Sequence, residues 1–247
     1  MERIKIGFTN LSYKKENSFF QTKVINKFNH KIDYKILSKL EFVPKLLNDN
    51  QENIEWEWIE TKDLVLDEQT LKTIADNFKK LHDSKLEFPK TNIAARVKEY
   101  RRILAERNIK IPVVDKYFKR INSILKNSEN NRPCHNDLYI ANVLQAKDGK
   151  VFFIDWEYAT MGDKHFDLAY FICGAYLNEE QEKIFLDQYD SYWEEYLIQQ
   201  KILVYYITIL WCNSQDVKPF DDSPLYVALE KTVELYQYKK ENKLFRN

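Results

Sequence analysis

The sequence predicts an α+β fold in two lobes, with a small antiparallel sheet first and a mostly helical lobe after it. Strand-like patterns are concentrated in the first 60 or so of the 247 residues. Helical periodicity, with apolar residues three and four positions apart, dominates the remainder. A composition of 44% hydrophobic and 15% aromatic residues is sufficient to fill a core. We therefore expect one unit over residues 1–60 and a second over residues 61–247.

The first unit is expected to contain short strands and one short helix. Weakly alternating segments predict strands at residues 3–6, 11–15, 19–25, 43–47 and 54–59. The segment IEWEWIE, which begins at Ile54, alternates most cleanly. Residues 33–40 predict the short helix.

Long helices are expected to form the second unit. Asp67 can cap a helix whose apolar stripe includes Leu71, Phe78 and Leu81. Another helix begins in the segment DKHFDLA, residues 163–169. The remaining helices are predicted at residues 93–107, 113–125, 179–197, 200–213 and 224–243.

Charge and cysteine usage narrow the function classes. With 38 basic and 38 acidic residues the chain has no net charge, so neither nucleic acid nor an anionic membrane is an expected partner. The cysteines Cys134, Cys173 and Cys212 lack metal or redox spacing and are expected to be buried and reduced. No signal-like segment begins the sequence, and the longest apolar run, residues 202–211, is too short to cross a bilayer. A cytoplasmic protein without membrane insertion is expected, and its oligomeric state is left open.

The stretch RPCHNDLYIANVLQAKDGKVFFIDWEYA, residues 132–159, carries the candidate chemistry. Asp137 and Asn142 lie on one predicted loop. The pair Asp148–Gly149 predicts a hairpin turn between two apolar runs, and the second run ends at Asp155. The hairpin should therefore fold Asp155 back beside the loop.

These three side chains suit phosphoryl transfer. The oxygens of Asn142 and Asp155 are the hard ligands that Mg²⁺ prefers, and Asp137 can orient and accept a hydroxyl proton. Asp, Asn and Gly are also ordinary turn residues, so a solvated loop and hairpin is the alternative interpretation. The joint spacing, His-x-Asp-x4-Asn followed by a hairpin and Ile-Asp, favours the functional one.

The motifs HNDLYIAN and FIDWEYA resemble those of the choline/ethanolamine kinase family, which shares the protein-kinase-like fold with the aminoglycoside phosphotransferases. Asn136 in the HND tripeptide is typical of choline and ethanolamine kinases. The resemblance implies an ATP- and Mg²⁺-dependent phosphotransferase acting on a small amino alcohol, with choline as the first candidate. Ethanolamine, another small alcohol, or a non-catalytic pseudokinase-like binding module are the alternatives.

The resemblance also implies an ATP site in the first lobe. Residues 7–10, ending at Asn10, would form the turn over the phosphates, although this turn holds a single glycine. Lys23 would be the phosphate-binding base, with Lys27 as its rival. The family's helix glutamate, which would pair with this lysine, is missing, and Asp33 and Glu41 are the only acids near its expected position.

The hinge that meets adenine is expected near residues 57–60. This expectation assigns Glu57, Trp58 and Ile59 to the nucleotide site.

The amino alcohol is expected between the catalytic loop and the C-terminal helices. Aromatic faces attract a quaternary ammonium, and a nearby carboxylate adds charge attraction. Glu157 matches the acidic position of the family's IDWEY motif, and the segment ILWCNSQD resembles one whose Trp faces the amine. The expected binding residues are Glu157, Tyr139, Tyr158, Trp193 and Trp211. The alternative is that the aromatic residues only pack the core.

Two residues are expected to support the loop without taking part in the chemistry. His135 precedes the catalytic Asp by two positions, and Asp167 can either cap a helix or brace the loop.

Overall fold

The computed structural model describes residues 2–4 and 10–246. Its strands are β1 Glu2–Ile4, β2 Leu11–Lys15, β3 Ser18–Thr22, β4 Leu46–Asp49, β5 Asn53–Glu57, β6 Thr61–Lys62, β7 Arg132–Cys134, β8 Val143–Ala146, β9 Val151–Phe153 and β10 Thr160–Gly162. Its α-helices are α1 Glu68–Asp83, α2 Ile93–Glu106, α3 Pro112–Asn127, α4 Lys164–Gly174, α5 Glu179–Tyr189, α6 Glu194–Ser214 and α7 Ser223–Glu241. The predicted α+β architecture in two lobes is confirmed.

The small lobe is an antiparallel sheet with the strand order β1-β2-β3-β5-β4. Aromatic and apolar side chains of its central strands face the second lobe; Phe19 lies opposite Trp56 in the register of β3 and β5. Such cross-strand pairs stabilise a sheet whose other face is wet. The sheet therefore provides an apolar roof over the large lobe.

Several predicted boundaries in the small lobe were displaced. Residues 34–39 form a 3-10 helix, capped by the side chain of Asp33, which accepts the N–H of Lys35. Strand β4 begins three residues later than predicted, because Pro44 has no N–H for a ladder. Strand β3 ends at Thr22, so Lys23 lies just beyond it. Residues 7–9 of the predicted 7–10 turn and the end of the first predicted strand lie outside the described residues.

The large lobe is built around α6, which packs against α2, α3, α4 and α7. The predicted helix over 179–197 and the predicted break at 198–199 were wrong. Helix α5 ends at Tyr189, and α6 runs unbroken from Glu194. The chain turns at Asp190 with φ 68° and ψ −49°, and the N–H of Ser191 donates to the carbonyl of Tyr189. No Gly or Pro marks this turn in the sequence.

Two small sheets carry the candidate catalytic stretch. Strand β7 pairs with β10, and the predicted hairpin is confirmed as β8 and β9, with Gly149 at φ 91°. Strand β6 pairs with β8, so the chain joins the second lobe's sheets directly after residue 60. We propose residue 60 as the boundary between the lobes on this ground.

The three cysteines are buried, as predicted. In the part of the chain that the structure describes, no helix has both the length and the apolar character needed to cross a membrane.

Candidate active site

The loop after β7 is held from below by one buried carboxylate. Asp167, in the first turns of α4, accepts the backbone N–H of His135 at 2.7 Å and that of Asn136 at 2.6 Å. The Nε2 atom of His82 lies 3.2 Å from the same carboxylate. The cap of α4 is instead Asp163, which accepts the N–H of His165. Of the two roles predicted for Asp167, the structure therefore favours bracing the loop.

His135 links the loop to the hairpin. Its Nε2–H donates to the carbonyl of Ile154 at 2.9 Å, and its ring lies 4.5 Å from that of Trp156. Burial lowers the pKa of His135 to about 4, so the imidazole is neutral. This position is consistent with the structural support expected of His135.

Asn136 adopts a left-handed conformation with φ 63°, which Asn tolerates better than most residues. Its side-chain NH₂ donates to the carbonyl of Tyr158 at 3.1 Å and to the hydroxyl of Thr160 at 2.9 Å. These bonds hold the chain so that the next residue, Asp137, faces a cavity. The sequence marked Asn136 only as a family feature and gave no sign of this role.

Asp137 has one hydrogen-bonded and one open carboxylate oxygen. The hydroxyl of Tyr170 donates to Oδ1 at 2.6 Å. Among the residues that the structure describes, no hydrogen bond reaches Oδ2. Burial raises the pKa of Asp137 to about 7, although the Tyr170 bond and the charge of Arg96 act in the opposite direction. A carboxylate with this pKa is suited to accept a proton near neutral pH. Sequence reasoning missed Tyr170 because it belongs to a distant helix.

Asn142 and Asp155 approach the same place from the two sides of the hairpin. The NH₂ of Asn142 donates to the Asp137 carbonyl at 2.8 Å, which leaves its Oδ1 available. Asp155 follows β9 in a left-handed conformation with φ 64° and ψ 57°. Within residues 2–4 and 10–246, its carboxylate accepts no hydrogen bond. Burial, and then the charges of Glu157 and Asp137, raise the pKa of Asp155 well above its usual value.

An open amide oxygen next to a desolvated, unpaired carboxylate fits a divalent cation. Oxygen ligands of this type suit Mg²⁺, and a cation would relieve the electrostatic cost of the partly buried acid at Asp155. Asn142 and Asp155 are the residues that would hold it.

Two cavities meet at these residues. The first, of about 240 Å³, lies beneath the small-lobe sheet. The second, of about 420 Å³, lies between the catalytic loop and the late helices. Tyr139 and Asp155 line both cavities, Asn142 lines the first and Asp137 the second. The arrangement can bring a bound nucleotide and an acceptor together across Asp155.

The first cavity contains four of the five predicted nucleotide residues: Asn10, Glu57, Trp58 and Ile59. Lys23 is not in its lining. The Lys23 ammonium contacts the Asp49 carboxylate at 2.5 Å and lies 5.3 Å from the ring centroid of Tyr34, a lining residue.

The acid that pairs with Lys23 is therefore Asp49, and neither Asp33 nor Glu41 takes that place. Asp33 is engaged as a helix cap. The sequence did not indicate Asp49 because the pairing depends on the β4–β5 hairpin, which returns Asp49 beside the end of β3.

The second cavity contains three of the five predicted acceptor residues: Tyr139, Tyr158 and Trp211. Trp193 is not among its lining residues. It lies just before α6 with 52% of its surface exposed, and its backbone N–H donates to Nε2 of His165. Lining residues that sequence reasoning did not assign to this site include Arg96, Tyr170, Tyr176, Tyr205 and Phe220.

Glu157 is also absent from the lining of the second cavity. Its Oε2 accepts the NH₂ of Asn10 at 2.6 Å and that of Asn29 at 3.2 Å, and lies 2.9 Å from Nε2 of His30. Its backbone carbonyl accepts the N–H of His30. Glu157 thus connects the small lobe to the catalytic stretch. It was expected at the acceptor cavity, and the structure does not place it there.

Comparison with known proteins agrees with this geometry. The family model of choline/ethanolamine kinases matches residues 20–237. The chain belongs to the choline/ethanolamine kinase family. This membership makes it a phosphotransferase of the class that acts on small alcohols.

Individual relatives and solved structures are similar to this chain over nearly its whole length. A protein named LicA homolog from Metamycoplasma hominis is 47% identical over 242 residues, covering 95% of this chain and 97% of the relative. A choline/ethanolamine kinase family protein from Mesorhizobium loti superposes with a TM-score of 0.75 at 20% identity, covering 95% of this chain and 87% of that one. Choline kinase LicA from Streptococcus pneumoniae gives 0.71 at 22%, covering 96% and 95%. At these identities the two structures bear on the fold alone.

Proposed function

We propose that this protein is an ATP:choline phosphotransferase, which uses Mg²⁺. The observation that carries the proposal is the open Oδ2 of Asp137 in the second cavity, next to Asp155, which lines both cavities. A solved LicA carries AMP, and nucleotide binding in the first cavity of this chain is part of the proposal.

Asp137 is proposed as the general base. It orients the acceptor hydroxyl and accepts its proton while the acceptor oxygen bonds to the terminal phosphorus of ATP. The electron pair of the broken P–O bond remains on the departing ADP oxygen. The pKa of about 7 supports proton acceptance near neutral pH.

Asn142 and Asp155 are proposed to hold Mg²⁺, which when bound neutralises phosphate charge. Asn10, Glu57, Trp58 and Ile59 are proposed to contact the nucleotide, because they line the first cavity. Lys23 pairs with Asp49 and lies near Tyr34, which lines the first cavity. We propose that Lys23 faces the phosphates.

The choice of choline is supported by the composition of the second cavity. Its charged lining residues are Arg96, Asp137 and Asp155, and several of its other lining residues are aromatic, among them Tyr176, Tyr205, Trp211 and Phe220. A trimethylammonium has no N–H to satisfy and gains from aromatic faces. A primary ammonium would need hydrogen-bond acceptors, and the two carboxylates in the described lining, Asp137 and Asp155, are both assigned to the phosphoryl transfer. Ethanolamine is the alternative substrate.

The mechanism is tested with substitutions at the two proposed active-site acids, Asp137 and Asp155. Asp137→Asn should lower kcat with choline by about 10²- to 10⁴-fold while nucleotide binding is retained. Asp155→Asn should abolish Mg²⁺-dependent turnover. It should also make nucleotide binding independent of Mg²⁺. Asp148→Asn, in the exposed turn of the same hairpin, is the matched control and should be active. Near-normal turnover by the Asp137 variant would refute the assignment, and a wild-type protein that binds ATP without turnover would be a pseudokinase.

Substrate choice is tested at the two predicted tryptophans. Trp211→Ala should reduce kcat/KM for choline by about 2- to 30-fold, the loss of one cation–π contact. The loss should be smaller for ethanolamine. Trp193→Ala is the control, because Trp193 lies outside the cavity. Equal losses on both alcohols, together with a lower melting temperature, would show that Trp211 only packs the core.

A further inference from the structure

Arg96 is a buried cation that forms no ion pair within the described part of the chain. It lies on α2, is 5% exposed and lines the second cavity. Its Nε donates to the hydroxyl of Tyr100 at 3.4 Å, and its guanidinium lies 4.3 Å from the ring centroid of Tyr158. Across residues 2–4 and 10–246, no carboxylate forms an ion pair with it, and its two terminal nitrogens donate no hydrogen bond.

Other arginines of the chain differ in this respect. Arg101, Arg102, Arg107 and Arg132 are all more exposed, and each pairs with a carboxylate. Leaving a buried charge without a partner is costly, so such a group usually has a ligand or a partner that arrives later. For Arg96 the open side is the cavity.

The position of Arg96 identifies the anion. It lies in the same cavity as Asp137, and its charge acts on the Asp137 carboxyl. A phosphoryl group transferred to an oxygen held at Asp137 therefore arrives beside the guanidinium. The planar fork of Arg matches two phosphate oxygens, and charged hydrogen bonds of this kind are strong.

We propose that Arg96 binds the phosphoryl group on the acceptor side of the transfer, and so forms a phosphate subsite for the phosphomonoester product. This rests on the proposed function. The second cavity then offers two kinds of contact: Arg96 takes the phosphate, and aromatic lining residues take the ammonium. The Arg96 charge also repels a cationic group, so the unphosphorylated alcohol binds with its hydroxyl towards Asp137.

The test compares product with substrate in titration calorimetry. Arg96→Met should weaken the binding of phosphocholine by about 10- to 100-fold and leave that of choline unchanged or tighter. Arg96→Lys keeps the positive charge but cannot form two parallel hydrogen bonds to the phosphate, so it should give an intermediate loss of phosphocholine affinity. Arg102→Met, on the exposed side of the same helix, should bind both as the wild type does.

Equal weakening of choline and phosphocholine in the folded variants, or no change for either, overturns the proposal. If Arg96→Met does not fold, the decision rests on Arg96→Lys: wild-type affinity for phosphocholine overturns the proposal.

Wild-type turnover separates this inference from the proposed function. If the wild type phosphorylates choline but the Arg96 variants do not discriminate, the function stands and the subsite falls. If the wild type phosphorylates neither choline nor ethanolamine, inorganic phosphate is the probe. Binding by wild type and its loss in Arg96→Met would support the subsite, and equal binding would overturn it.

Discussion

At the residue scale, the site depends on how one carboxylate is held. Asp137 receives one hydrogen bond, from Tyr170, and keeps its second oxygen open to the acceptor cavity. Burial raises its pKa to about 7, and the Tyr170 bond limits the rise. Activity that requires the deprotonated base should therefore fall as pH drops through this value.

Replacing Tyr170 with Phe should shift this acidic limb upward. In the wild type, the Tyr170 hydrogen bond stabilises the carboxylate form of Asp137. Removing this bond should therefore raise the pKa of Asp137 further, by roughly one unit. The measurement is the pH profile of kcat/KM for choline. Tyr176→Phe is the control, since Tyr176 lines the cavity but does not contact Asp137. A limb that stays in place or moves to lower pH would exclude Asp137 as the titrating base.

At the element scale, the turn between α5 and α6 is strained. Asp190 is the central residue of a three-residue turn, in which the N–H of Ser191 donates to the carbonyl of Tyr189. Its φ of 68° and ψ of −49° are values that non-glycine residues adopt only at an energetic cost. The turn persists because α5 and α6 are both anchored by packing, α5 on α1 and α6 on four other helices. The strain is therefore local and removable.

Asp190→Gly should raise the free energy of unfolding by about 1 kcal/mol, because glycine reaches positive φ without a steric penalty. Its exposed carboxylate makes no hydrogen bond among the described residues, so little is lost. Thermal or urea unfolding measures the change. The same replacement at Asp187, inside α5, should destabilise the protein instead. Destabilisation by both would mean that the Asp190 conformation is unstrained.

At the scale of the whole molecule, Glu157 joins the two lobes. Its carboxylate contacts Asn10 and Asn29 and pairs with His30, all in the small-lobe part of the chain. Asp155 lies two residues earlier and lines both cavities. The position of the small lobe over the first cavity is thus linked to the catalytic stretch itself.

Glu157→Gln should therefore act on the whole enzyme and not on substrate choice. It removes the carboxylate that accepts hydrogen bonds from Asn10 and Asn29, which should destabilise the protein by about 1 to 3 kcal/mol, and it should weaken nucleotide binding. Choline and ethanolamine turnover should fall by the same factor. The exposed Glu106→Gln, which loses a surface pair with Arg102 far from both cavities' lining residues, should show no measurable change. Selective loss of choline turnover would instead place Glu157 at the ammonium, as the sequence alone suggested.

The sequence by itself determined the features that depend on local spacing. The hairpin at Asp148–Gly149, and with it the approach of Asp155 to Asn142, follows from turn chemistry over a few residues. The division into an early sheet and late helices follows from periodicity, which is likewise local.

Tertiary structure decided whatever joins distant segments. The partner of Lys23, the bond from Tyr170 to Asp137, the position of Arg96 in the second cavity and the place of Glu157 each depend on elements far apart in the chain. No spacing rule relates such residues, because their contacts are set by how helices and strands pack. Aromatic residues show the same limit: Trp193 and Trp211 are chemically equivalent in the sequence, and only packing puts one at the cavity and the other at the surface.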